Sequence, residues 1–248
     1  MKKLMLILSG LLLPISGWAA APEISVGTLS DYVDADKSNY LKRVRNSGDA
    51  TAFVKIEVKE IIFNSDGKSE EVPVTNMDKV KTNNGHTLVA SPARLIIPAK
   101  AMQSVRLLVM GDRNTERYYR VRYIPVMPEL KEGFNVTEQD VGNYKKTLTA
   151  GVNILAGYGT IVYVRPQQVR FNTTMDMKAA ELTVRNEGNS VIYLDHFKLC
   201  DSSGNKCETA TKHHILPGKT RSFPKTVSQK FHFDLVEGEK SQRILTSS

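Results

Sequence analysis

Two cysteines, five histidines and a surplus of cations are the residues of this chain best suited to chemistry. Cys200 and Cys207 sit close together in CDSSGNKC, around a turn-like Asp-Ser-Ser-Gly-Asn. Thiols so spaced either bridge or hold a metal. No second Cys or His pair with zinc-ligand spacing accompanies them, so a disulfide that staples a hairpin is expected. The histidines are His86, His196, His213, His214 and His232. His213 and His214 are adjacent; on a strand they point to opposite faces and share no ion. His232 alternates with Phe231 and Phe233 and reads as a strand-surface residue. The chain has no GxxxxGK[ST] loop, Gly-x-Ser-x-Gly elbow, HExxH or obvious carboxylate dyad. No enzyme activity, metal or cofactor is expected.

The cations give a net charge of +8 over 248 residues. Such an excess suits nucleic acid, an anionic surface or an acidic partner. The N-terminus decides among these. Lys2 and Lys3 precede an apolar run from Leu4 to Leu13, then Pro14 and Gly17, then the small residues Ala19, Ala20 and Ala21. Residues 1–20 therefore read as a signal peptide. The run is too short to span a bilayer comfortably, and no later segment is apolar enough. No membrane insertion after signal cleavage and no nucleic-acid partner are expected. An exported chain also meets the oxidising conditions in which the cysteines would bridge.

The elements that must position these residues read as short strands between turns, with no sustained helical period. Leu41–Arg45, Thr51–Ile62, Leu88–Ala90, Arg94–Ile97, Val105–Met110 and Tyr118–Ile124 form a first series. Leu182–Arg185, Val191–Leu199, Ile215–Leu216 and Phe231–Val236 form a second. Pro92, Pro98 and Pro125 fall at strand boundaries, as prolines must. The class is all-β, in two sandwiches divided near Arg165–Gln168. Residues 128–147 read as a long polar loop, of the kind that is usually functional or mobile.

After that loop comes one long alternating strand. Leu148, Ala150, Val152, Ile154 and Ala156 share one side; Thr149, Gly151 and Asn153, small or polar, share the other. A core strand explains the alternation. Its length and its place at the end of the first domain favour an edge instead, and a long apolar edge needs a partner to cover it.

Four stretches carry a family likeness: LVASPARLIIPAKAMQSVR (88–106), ERYYRVRYIP (116–125), GTIVYVRP (159–166), and the pair formed by 182–189 and Leu216-Pro217-Gly218-Lys219. Their order resembles the periplasmic pilus chaperones of the chaperone–usher pathway, nearest the divergent branch serving colonisation-factor and common-pilus systems. The resemblance implies two immunoglobulin-like β-sandwich domains set at an angle, 21–165 and 166–248, in the periplasm. It implies pilus subunits and an outer-membrane usher as partners. The subunit would be completed by a donor strand centred on Val152 and Ile154 and flanked by Leu148, Ala150 and Ala156. The family also anchors the subunit's terminal carboxylate on two cations. The usual first-strand arginine has no counterpart in 24–33, and Ile161 stands at the usual donor-strand lysine. Lys42 or Arg43 on the second strand and Arg120 on the penultimate strand are the candidates, with Arg122 behind; Arg120 and Arg122 share one strand face. The rival reading is a secreted immunoglobulin-like adhesin or carbohydrate-binding protein, yet Trp18 is the only tryptophan and lies in the signal peptide.

Overall fold

A computed structural model describes residues 21–64, 68–74, 85–129, 132–149 and 155–246. Its elements separate into two sets of sheets. The first set holds β1 (Ile24–Ser25), β2 (Ser30–Val33), β3 (Asn39–Asn46), β4 (Ala52–Phe63), β5 (Ser69–Pro73), β6 (His86–Ser91), β7 (Arg94–Ile97), β8 (Met102–Gly111), β9 (Arg117–Pro125) and β10 (Tyr158–Val164). One sheet runs β1-β3-β8-β6; the facing sheet runs β2-β10-β9-β4-β5, with β7 also on β4. Alternation explains the packing: every second residue of β9, Tyr119, Val121 and Tyr123, is buried between the sheets, with Val162 and Val164 beside them.

The second set holds β11 (Thr173–Lys178), β12 (Glu181–Asn186), β13 (Ile192–Cys200), β14 (Thr211–Ile215), β15 (Thr220–Pro224), β16 (Lys230–Glu237) and β17 (Lys240–Leu245). These form the sheets β11-β12-β15 and β14-β13-β16-β17. Phe197, Phe223, Phe231 and Phe233 stack at their centre with ring centroids 4.4–5.4 Å from Phe197. The fold class is all-β, as the sequence pattern implied.

Both sandwiches close one corner with the same device. Asn46 and Asn186 are fully buried. Each donates through its side-chain amide to the carbonyl four residues on, Ala50 or Ser190, at 2.8 and 2.9 Å. Each accepts from the glycine two residues on, Gly48 or Gly188, at 3.0 and 2.9 Å. A Cβ on Gly48 would lie 2.1 Å from the Ala21 carbonyl, and one on Gly188 2.4 Å from the Arg170 carbonyl. Only glycine lets the backbones approach this closely.

One helix departs from the all-strand expectation. α1 (Glu138–Thr149) lies within the segment read as a polar loop. Thr137 caps it: its Oγ1 accepts from the Asp140 N–H at 3.2 Å, and the Asp140 carboxylate accepts from the Thr137 N–H at 2.9 Å. Glu138 and Asp140 at the start and Lys146 at the end complement the helix dipole. Its polar composition hid it, because little of it is buried. It docks mainly through Tyr144, whose hydroxyl donates to the Thr51 carbonyl at 2.8 Å and whose ring meets Phe53 edge-on at 5.0 Å.

Candidate functional site

The expected donor strand and the expected basic anchor fall on one sheet, the five-strand path through β10. The strand is corrected first. An extended chain was expected from Leu148, but the backbone of Leu148 and Thr149 closes α1, and the strand begins at Tyr158. Ala150, Val152 and Ile154 lie outside the described residues. Ala156 is exposed and in no regular element. The reason lies in the register. β9 ends at Pro125, whose partner position on β10 would be Ala156, and proline offers no N–H. On the other side β2 pairs with β10 in parallel only along Ile161–Val164. Among the described residues the ladder between β10 and β9 begins at Tyr158, with Gly157 still close beside Tyr123 and Pro125. β10 is thus flanked on both sides at its C-terminal end and open on one side along Tyr158–Thr160. Beside that open edge, Leu29 and Tyr158 are 56% and 38% exposed.

Gly157 marks where the chain joins the sheet, since a Cβ there would come within 2.9 Å of the Tyr123 carbonyl. From that point Gly159, Ile161 and Tyr163 face away from the core, in rows with residues of β9 and β4. Tyr163 lies beside Tyr118 and Ile61, Ile161 beside Arg120 and Lys59, and Gly159 beside Arg122 and Glu57. Arg120 and Arg122 therefore do share the outer face, as their spacing required. Gly159 leaves the Arg120 side chain room, with its Cδ 3.4 Å from where a Cβ would be.

The two guanidiniums converge on one carboxylate. Arg122 Nη2 is 2.7 Å from Glu71 Oε2, and Arg120 Nε is 3.3 Å from Glu71 Oε1. Partial burial pushes the Glu71 carboxyl up, but hydrogen bonds from Arg122 and then Arg120 outweigh this and hold it below its ordinary range. The pair is a planar fork that takes a carboxylate on a half-exposed face.

Lys42 is placed differently. It points inward from β3 and is 3% exposed. Its ammonium lies 2.8 Å from the buried Asp31 carboxylate and donates to the Thr28 carbonyl at 2.6 Å. A cation already neutralised between the sheets is not presented to a ligand. Arg43 is exposed on the outer face of the opposite sheet, apart from Arg120. The structure brings Arg120 and Arg122 together and leaves Lys42 and Arg43 elsewhere.

The rows of this face run on into the second sandwich. Tyr163 pairs with Tyr32 of β2, and their rings stack at 5.2 Å. Tyr32 stacks in turn on Tyr193 at 5.2 Å, and its hydroxyl meets His214 Nε2 at 2.6 Å. His213 points the other way, onto Phe197 at 4.9 Å. Beneath this stack lies a polar joint that sequence reading left without a role. Arg165, 3% exposed, donates to Asp34 at 3.1 Å and to Ser190 Oγ at 2.7 Å. Glu116 accepts from the Val191 N–H at 2.8 Å. Arg113 donates to the carbonyls of Arg165, Val33 and Asp34. Arg165 and Glu116 both fall in the motifs that carried the family likeness, so the signal was present but unassigned.

Cys200 and Cys207 form the expected disulfide, around a turn in which Gly204 has φ +76°. His232 is near the bridge, but its cysteines are oxidised and offer no thiolate to a metal.

No family model matches the chain. Among curated proteins it is 28% identical over 243 residues to a probable fimbrial chaperone, EcpB, of Escherichia coli O157:H7, covering 97% of this chain and 98% of that one. Over nearly its whole length this chain is similar to the fimbrial chaperones of the chaperone–usher pathway. Solved structures agree on the fold. The class 5 fimbriae chaperone CfaA matches with a TM-score of 0.53 at 22% identity, over 91% of this chain and all of that one. A chaperone–tip adhesion subunit pre-assembly complex from the archaic chaperone-usher Csu pili of Acinetobacter baumannii matches with a TM-score of 0.51 at 16% identity, over 92% and 99%. The chain thus shares the two-sandwich fold of these proteins, and the fimbrial chaperones it resembles are a non-enzymatic class.

Proposed function

We propose that this chain holds pilus subunits in the periplasm by lending them the segment Leu148–Ala156 as a missing strand, Leu148 and Thr149 leaving the last turn of α1 to do so, and passes them to an outer-membrane usher. The observation that carries the reading is the open edge of β10. Before Tyr158 the chain leaves the last strand of its own sheet, at a point where the sequence alternates Leu148, Ala150, Val152, Ile154 and Ala156. A segment with this alternation suits strand addition, in which a partner's backbone supplies the ladder and its pockets take the alternate side chains. Fully burying a Val or Ile side chain contributes about 1.5–3 kcal/mol, so Val152 and Ile154 together supply a useful share of the hold.

The second grip is the Arg120–Arg122 fork, which receives the subunit's C-terminal carboxylate where Glu71 now sits. The signal peptide is 1–20, the subunit-binding sandwich 21–165 and the second sandwich 166–248. The test is co-expression with a cognate pilin. A soluble one-to-one complex that fails to form with the Arg120→Ala, Arg122→Ala double variant supports the reading. A pilin that folds and accumulates equally well without the chaperone overturns it.

A further inference from the structure

The first sandwich has a second open edge, in the sheet that faces the one holding β10. β1 pairs with β3 only at Ile24–Asn46 and Ser25–Arg45. The chain then turns away at Gly27, whose φ of +68° is a conformation glycine adopts without strain, and crosses to the other sheet as β2. From Asn39 to Val44, β3 therefore has β8 as its one ladder neighbour. A groove of about 490 Å³ runs along this edge, lined by Val26, Tyr40, Leu41, Arg43 and Met102 among others.

The outer face beside the groove is a checkerboard of cations and apolar side chains. Leu41 lies opposite Arg106, and Arg45 opposite Met102, with Arg43 between them on β3. Leu41 and Met102 are 50% and 54% exposed, and the three arginines are exposed too. Among the described residues none of these arginines has an ion pair or a side-chain hydrogen bond, whereas Lys42 on the inner face is paired with Asp31. The excess positive charge thus points outward, along an unfilled strand position.

We propose that this edge docks an extended acidic segment of a partner protein as an added strand. The backbone of the segment would take the free N–H and C=O groups of β3. Alternate side chains would divide by face: carboxylates outward against Arg43 and Arg106, apolar groups inward against Val26 and Tyr40. Charge selects this occupant over a second copy of the chain, which would set Arg43 and Arg45 against their own counterparts. The surface lies on the sheet facing the Arg120 fork and meets the β10 edge only through the Gly27–Leu29 crossing, so variants at Arg43 and Arg106 test it without touching the fork or β10.

The probes are two acetylated peptides, (Glu-Val)₄ and (Lys-Val)₄, titrated against the mature full-length chain at low salt. The acidic peptide is expected to bind saturably and the basic one not. The Arg43→Glu, Arg106→Glu double variant should weaken the acidic peptide by about tenfold or more, and Arg43→Gln, Arg106→Gln by less; unchanged thermal melts show that both variants fold. Methylating alternate peptide amides should abolish binding if backbone pairing is involved. Equal binding of both peptides, indifference to charge reversal, or indifference to amide methylation would each overturn the proposal, as would a dimer of the free chain that the acidic peptide cannot dissociate.

Discussion

Arg165, where the last strand of the first sandwich ends, donates to Ser190 Oγ of the second sandwich at 2.7 Å. The same hydroxyl donates to Glu116, which also accepts from the Val191 N–H. One guanidinium and one carboxylate, both nearly buried, thus meet at a single turn of the other domain. Each charge is satisfied by groups of the other domain, so this arrangement of the two sandwiches is held by buried, directional, charge-assisted hydrogen bonds.

Removing one member of such a set leaves the other buried and uncompensated, which costs about 3–5 kcal/mol. Arg165→Ala should therefore lower stability by roughly 3 kcal/mol and split a single thermal transition into two. Differential scanning calorimetry checks both; one unshifted transition would show that Arg165 does not couple the domains.

The aromatic stack above this joint makes stability depend on pH. Burial, helped by Lys212, pushes the His214 imidazole down to about 4 from an ordinary 6.5. Between those values the unfolded chain binds the proton more readily than the folded one. Stability from this group is complete above about pH 6.5 and is lost as pH falls towards 4. Glu116 has the opposite sign, since burial raises its carboxyl and the folded state keeps that proton longer. The His214→Asn variant should show a smaller fall in Tm between pH 7 and 5 than the unaltered protein. Parallel pH profiles would remove His214 from the account.

Much of this was legible in the sequence because period-2 alternation is a local signal. Arg94–Ile97 was read to the residue, and most longer strands to within two or three. The strands that escaped were β1, β2, β5, β11, β15 and β17, all of them at sheet edges. Alternation shows poorly where only one face or neither is covered. The α1 helix escaped for the same reason, being held by a cap and one tyrosine. At the site, Arg120 and Arg122 were candidates because the family likeness calls for a pair of cations, and their spacing alone put them on one strand face. That Lys42 turns inward to Asp31, and that Glu71 fills the arginine fork, depend on pairings between strands that no local pattern carries.

The Glu71 contact makes its own prediction. Its carboxylate occupies the donors that a subunit terminus would need, so Glu71→Gln should raise affinity for a peptide ending in the subunit's free carboxylate, by several-fold. Arg120→Ala and Arg122→Ala should each lower that affinity by roughly 10–100-fold, the scale of a lost hydrogen bond to a charged group. The C-terminally amidated peptide serves as the control. Equal binding of acid and amide would remove the carboxylate from the interaction.

The donor segment gives the most direct test of the proposed function. If Val152 and Ile154 enter a subunit's open core, an aspartate at the second position places a charge where no partner satisfies it. Burying an unpaired carboxylate costs several kcal/mol, enough to reduce a stable complex to a trace. Ile154→Asp should therefore abolish co-purification of pilin while leaving the chaperone's own melt unchanged, because β10 and its core contacts begin only at Tyr158. The polar-side control Asn153→Asp should retain the complex, since that residue faces away from the groove in the same register. The reverse result, loss with Asn153→Asp and retention with Ile154→Asp, would mean that the segment is read one residue out of register.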